Sequence, residues 1–561
     1  MKRTLALILA LLMTLSLFAA CSSKDDKGTG TTPSDGNGTT TTTPSGDQGG
    51  DKTDGGAATT PSGDGANAPA SEGKTSITIG MVGAHDSSDP CSESSNDFIT
   101  QMMLYDKIME IDDHTGERVF RILDSFEWTD DVTMKLVLRQ DVYFANGDQA
   151  TGEDLLYTFY SQVKNVDGTD KARTDKAPIF SYIDFDKSYV DDDGFTVYIV
   201  WQQPYARAEP SLDACLIQKK FVEEHPETDE IWYTDPLGSG PYKITDMQHD
   251  AYITFTRRDD YWNKDYTYEA EQITLKFYSD ETGMYVDYQN GVIDAMYNVS
   301  ANIVEQVQSA NTGVVNAVPN GACAILWFNE SNEYLANAKV REAICYAIDM
   351  DAVGQIAFGS LYKKPHSFLP EGFEGYSEHE GYTFDLDRAQ KALDESGYKG
   401  SDIKLHIIAM NDGTQPKVAE TIQGYLSMLG ITLEIETLDM GTALPKMLQR
   451  DGTDFQYFSK NGGNPTGELT QLVAGNGKDA PFQCAAIYDE EYNRICDETT
   501  WTTDHEKSVK GCEELDNWLY DNYYGIPVND VQMALVYNPN VISSFDQCSI
   551  LKGCLGSLTL A

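Results

Sequence analysis

Hydrolytic and group-transfer sites need a nucleophile beside a base, a working pair of carboxylates, or ligands at metal-binding spacing. The chain has eight His in 561 residues, and no two stand at helical ligand spacing. HExxH, G-x-S-x-G and the P-loop are absent, so the enzyme classes built on them lack their minimum parts. Acidic neighbours such as Asp259-Asp260 and Glu513-Glu514 arise from composition in a chain with 89 acidic residues, and a solvated face explains them. "GSG" at 238–240 is followed by Pro241, which removes an amide donor and forbids the helix a phosphate loop requires. No catalysis, cofactor or metal is expected.

What remains is binding chemistry. The stretch "YFSKNGGNPTG", Tyr457 to Gly467, sets two Asn and three Gly around a Pro. Its local chemistry favours a turn, because Asn and Gly supply positive φ cheaply and Pro stops a strand. Nine Cys follow Cys21, at 91, 215, 323, 345, 484, 496, 512, 548 and 554. Their spacing makes no metal knuckle, and the expectation is mostly buried thiols with one or two bridges, Cys548 and Cys554 being the nearest pair.

The first residues are an address rather than part of a fold. "MKRTLALILALLMTLSLFAAC" has a basic start, an apolar run from Leu5 to Phe18 and small residues before Cys21. "LFAAC" resembles the lipobox of bacterial lipoproteins, which implies cleavage before Cys21 and acylation of its thiol. Residues 22 to about 75 are Gly, Ser, Thr, Asp and Pro with almost no large apolar side chain, the composition of a flexible tether. The body, 76–561, is too long for one ordinary core. A net charge of −48 argues against nucleic acid.

Within the body, "SITIGMV" reads as a first strand with Ile77, Ile79 and Met81 on one face. "FITQMMLYDKIMEID" shows helical spacing at Ile99, Met102, Met103, Asp106 and Met109. Asn146-Gly147 marks a turn, and Thr151 with Asp154 forms a capping-box variant opening a helix. "ACAILWFNE", Ala322 to Glu330, is an apolar strand buried on both faces. Beyond it helix and strand alternate, with a C-cap at Gly397 and a helix ending at Gly430 between "IKLHIIAM" and "ITLEIETLD". Strand, helix, strand with short links predicts a parallel pair.

Several segments in order then resemble the family 5 extracellular solute-binding proteins, the oligopeptide, dipeptide and nickel receptors of ABC importers. They are "SFEWTDDVTMKLVLRQDVYFANGDQATGEDLLYTF", "GSGPYKI" with "RRDDYWN", "NGVIDA", "VREAICYAID", "DRAQKALDESGY" and "YGIPV", from about residue 77 to 545. The resemblance implies an α/β, two-lobed periplasmic-binding-protein-like type II fold with an extra subdomain in the first lobe. Its expected boundaries are 1–21 leader and lipobox, 22–75 tether, 76–322 lobe 1 with the subdomain at about 99–200, 323–526 lobe 2, and 527–561 returning to lobe 1. Two strands, near Ala324 to Asn329 and Ile526 to Asp530, would cross between the lobes.

In peptide receptors of that family a cleft loop of the form G-W-x-A-D-Y-x-x-P pairs its Asp with the ligand's α-amine. Aligning Pro465 with that Pro puts Phe458 at the Trp and Asn461 at the Asp; an upstream Trp becomes Met440. A buried ammonium wants an ionised partner, so Asn461 and Asn464 suit a neutral polar group better. Trp327, Asn329, Asn529 and Ser95 are further cleft candidates, and Trp327 fits a core equally well. The resemblance implies a monomeric, lipid-anchored receptor on the outer face of a bacterial membrane, delivering an oligopeptide to an ABC permease. Alternatives left open are an oligosaccharide or other small-solute receptor on the same fold, and a signalling or adhesion lipoprotein without transport.

Overall fold

Apolar periodicity switches between two and 3.6 along the chain, and the elements follow it. In the computed structural model the described residues are 75–85, 87–91, 95–111, 118–170, 177–225, 229–264, 268–411, 413–449, 452–459, 487–545 and 558–561. The leader, Cys21, the tether, Asn461, Asn464 and the Cys548 and Cys554 pair lie outside them. The six described cysteines, at 91, 215, 323, 345, 496 and 512, are all buried.

One ten-stranded mixed sheet organises the body. Its strands in chain order are β1 (Ser76–Val82), β2 (Tyr242–Gln248), β3 (Tyr252–Arg257), β4 (Gln272–Tyr278), β5 (Ala295–Met296), β6 (Val314–Phe328), β7 (Lys404–Met410), β8 (Thr432–Leu438), β9 (Phe455–Ser459) and β10 (Gly525–Tyr537). Across the sheet they run β8-β7-β9-β6-β10-β5-β1-β4-β3-β2. β1 is parallel to β4 and β5, and β7 is parallel to β8 and β9. The expected parallel pair of "IKLHIIAM" and "ITLEIETLD" is β7 with β8, joined through the helix Gln415–Ser427.

Two long antiparallel strands, β6 and β10, tie the halves together, and each contributes to the cores of both. On one side Val318 of β6 and Met533, Leu535 and Tyr537 of β10 pack with Ile77, Ile79, Met81 and Leu275. On the other, Leu326 and Phe328 of β6 and Ile526 and Val528 of β10 pack with Leu405, Ile407 and Phe455. Between the cores the ladder slips from Pro319↔Gln532 to Cys323↔Asp530, so three residues of β6 oppose one of β10. Gly321 takes φ +76 there, the conformation such a bulge demands and glycine adopts freely.

A separate four-stranded antiparallel sheet (Leu123–Trp128, Thr133–Leu138, Thr196–Val200, Tyr189–Val190) has its own core around Leu136, Phe144, Phe159 and Trp201. The capping box is formed, Asp154 accepting from the Thr151 amide at 2.9 Å and hydroxyl at 2.8 Å. One expectation fails. The helix begun at Ser95 stops at Leu104, and Met109 opens a short strand instead. The reason is tertiary: the 238–240 turn lands on the helix end, where a Cβ on Gly238 would stand 1.9 Å from the Leu104 carbonyl oxygen. Gly240 N–H donates to that oxygen at 2.8 Å. Asp106 then turns inward and accepts from Tyr261 Oη at 2.6 Å and Trp262 Nε1 at 2.8 Å.

Candidate functional site

The strand directions define where a site belongs. β1, β4 and β5 point their C-terminal ends toward the β6/β10 bulge from one side, because β5 is antiparallel to β10 and starts opposite Tyr537. β7, β8 and β9 point theirs toward it from the other, because β9 runs from Phe328 back to Ala324. In open α/β sheets ligands bind beyond the carboxyl ends of the strands. Here six such ends converge on one stretch of backbone.

Apart from Asn316 near the start of β6, the polar residues of these two apolar strands gather there: Asn320 on β6, and Asn529, Asp530 and Gln532 on β10. Asn529 is buried, and its Oδ1 accepts from Lys363 N at 2.9 Å, while Asp530 N donates to Lys363 O at 3.0 Å. Those two bonds strap the segment after the helix Met350–Phe358 onto β10. Asn320 Oδ1 accepts from Ala322 N at 3.0 Å and so closes the bulge.

Asp530 is 6% exposed, and its Oδ1 has no hydrogen-bond partner. Desolvation pushes its carboxyl up to about 6, against the pull of Lys363, the Cys323 thiol and His366; Glu371 adds to the rise. Lys363 Nζ itself pairs with Glu371 at 3.3 Å. Burial likewise raises the Cys323 thiol, and Asp530 adds to that shift.

A second buried carboxylate lies nearby. Asp516, on the helix His505–Asp521, accepts from Ser367 Oγ at 2.7 Å, Phe368 N at 3.0 Å and Ser377 N at 3.2 Å, with His379 Nε2 at 3.2 Å. His379 stacks on Tyr520, ring centroids 4.1 Å apart, and Tyr382 stacks on it too, at 4.6 Å. This cluster holds residues 366–382 against the helix.

The sequence candidates divide. Asn529 lies in the band, and Met440 follows the C-terminal end of β8 as the first residue of the helix Met440–Gln449, 67% exposed. Phe458 stands on β9 opposite Ile325, and Ser459 pairs with Ala324, which pairs with Asn529 across the sheet. β9 therefore ends level with the bulge, and Asn461 and Asn464 lie outside the described residues. Ser95 opens the helix Ser95–Leu104.

Trp327 and Asn329 do not join this group. At about 3.3 Å per residue they stand roughly 13 and 20 Å along β6 from Cys323. Trp327 is fully buried against Phe368, centroids 5.4 Å apart, because alternate residues of β6 face the cluster with Tyr492, Leu515 and Leu519. Asn329 spends its amide on Thr453 O at 3.3 Å and on Ser331 N at 3.0 Å, bracing the end of the strand. Asp530, Asn320 and Lys363 were missed; for the first two the signal was present as polar residues interrupting the runs "PNGACAILWF" and "IPVNDVQMALVY", whereas Lys363, in "SLYKKPHSF", carries no such mark.

A large mixed α/β sheet of this kind is the fold of periplasmic-type substrate-binding proteins. The crystal structure of the ABC transporter substrate-binding protein CtaP from Listeria monocytogenes matches 86% of this chain and 99% of its own at TM-score 0.75 and 21% identity. The periplasmic binding protein DppA from Helicobacter pylori, in complex with the peptide STSA, matches 86% and 98% at TM-score 0.72 and 18% identity. The chain belongs to the bacterial extracellular solute-binding proteins, family 5, whose model "family 5 Middle" matches residues 119–477. Among curated relatives, the dipeptide-binding protein DppE of Bacillus subtilis (strain 168) is 24% identical over 394 residues, covering 64% of this chain and 70% of that one. Among the described residues no helix is long and apolar enough to cross a membrane.

Proposed function

We propose that this chain is a receptor that captures an oligopeptide between two lobes, 76–322 and 323–526 with 527–561 returning to the first, and delivers it to an ABC permease. The observation that carries the reading is the convergence of six strand ends, three from each half of the sheet, on the polar band of β6 and β10. A site built from both halves at the strands that join them gives ligand a different set of contacts in open and closed arrangements, which is what closure needs. A bulge weakens and bends its strand, which favours flexing at this position. Relatives that carry dipeptide- and oligopeptide-binding names support a peptide as ligand.

A second contact between the halves supports closure as well. Trp501 packs on Tyr205 at 5.2 Å and Tyr182 at 5.1 Å, and Ala206 N donates to Thr500 O at 2.9 Å. On this reading Asn529, Met440, Phe458, Asn461, Asn464 and Ser95 contribute to the ligand site. Cys21 carries the lipid that holds the receptor, a monomer, on the outer face of the membrane. Calorimetric titration with a tetrapeptide library is expected to show binding. No heat with peptides, together with binding of oligosaccharides, would replace this reading by a carbohydrate receptor on the same fold.

A further inference from the structure

The polar groups of the β6/β10 band are not equally spent. Asn529 Oδ1 is taken by Lys363 N, Asn320 Oδ1 by Ala322 N, and Cys323 Sγ donates to Ala324 O and Ser367 O, both at 3.7 Å. Asp530, buried to the same degree, keeps a carboxylate oxygen with no partner. Buried polar atoms are almost always satisfied, and one that is not marks a group waiting for a ligand, or strain kept for a reason.

The charge around it says which ligand group would be welcome. From the strap 362–379, Lys363 and His366 face Asp530 with Glu371, Tyr362 and Tyr376, and from β6 comes Cys323. The one lysine among these is paired with Glu371. Two carboxylates, Asp530 and Glu371, thus share one ammonium with a histidine beside them, and the local balance is short of positive charge. A neutral donor would satisfy the open oxygen, but a cationic one also offsets the charge, and charge-assisted bonds are roughly twice as strong as neutral ones.

We propose that Asp530 is a specificity-determining residue that accepts a hydrogen bond from a protonated amine of the bound solute. The assignment rests on the peptide-receptor reading and names the ligand group that the site selects. It places cation recognition on the joining strand itself, where the bond forms only when both halves surround the ligand.

The test is titration calorimetry with two tetrapeptide libraries of the same sequences, one with free N-termini and one N-acetylated, against the wild type and Asp530→Asn. Lysine is left out, so the α-ammonium is the variable amine. The wild type is expected to bind the free library at least tenfold more tightly. Asp530→Asn is expected to lose that preference, its affinity for the free library falling to that for the acetylated one, and a circular dichroism spectrum matching the wild type's shows that the variant is folded. Equal wild-type binding of the two libraries overturns the assignment and leaves the peptide receptor standing. So does a preference that survives in Asp530→Asn. Binding of neither library overturns the peptide reading, and the assignment with it.

Discussion

Asp516 and Asp530 are fourteen residues apart, both buried, and built to opposite ends. Asp516 gathers a hydroxyl, two backbone amides and an imidazole around its two oxygens. Asp530 sits where strands from both halves of the sheet end, and one of its oxygens has no partner. A carboxylate that holds a fold together is finished by the fold. One left unfinished at the meeting point of six strand ends is better understood as part of a binding surface, since leaving a buried acceptor unmade costs on the order of 1–3 kcal/mol.

The comparison breaks first at Asp516. Asp516→Ala strips the acceptor from four donors and is expected to destabilise the protein by about 3–5 kcal/mol, read from urea denaturation. A loss under about 1 kcal/mol would mean that the clamp is incidental.

Asp530 is expected to behave in the opposite sense. Its folded-state value of about 6 lies above the ordinary range near 3.9, so the folded protein holds this proton more tightly than the unfolded chain does. The contribution is favourable below the unfolded value and is lost as pH rises through about 6. In the absence of ligand, the wild type should therefore gain stability relative to Asp530→Asn as pH falls from 7 to 4, on the order of 2 kcal/mol. Parallel stability profiles for the two proteins across that window would show that Asp530 is satisfied in solution.

How much of this was legible in the sequence follows the range of the contacts. The first strand, the capping box at Thr151 and Asp154, and the C-cap at Gly397, whose φ is +82, are local events, and the residues announce them. The helix end at Leu104 is not local. Its periodicity continues to Met109, and only the approach of the 238–240 turn, more than 130 residues later, stops it. Asp516 looks like any acid on a helix, for its donors come from residues 367–379, roughly 140 positions upstream.

The site was half visible for the same reason. The "YFSKNGGNPTG" stretch stood out by composition, and the sheet register sets its third residue, Ser459, opposite Ala324 beside the bulge. Trp327 and Asn329 were drawn in as residues of the expected crossing strand near Ala324 to Asn329, but strand rise carries them far from the bulge. Asp530 is the reverse case. Its neighbour Asn529 was a candidate, yet nothing in the chain tells which of two adjacent polar residues is spent on the strap at Lys363 and which is left open.

The most direct test of the central claim, that ligand sits on the band joining the halves, is amide hydrogen exchange with and without the tetrapeptide library. The account predicts slower exchange with ligand at Ala322, Cys323 and Val531 on β6 and β10, and at the amides that follow β7 and β8. Protection elsewhere, with those amides unchanged at saturating peptide, would contradict it.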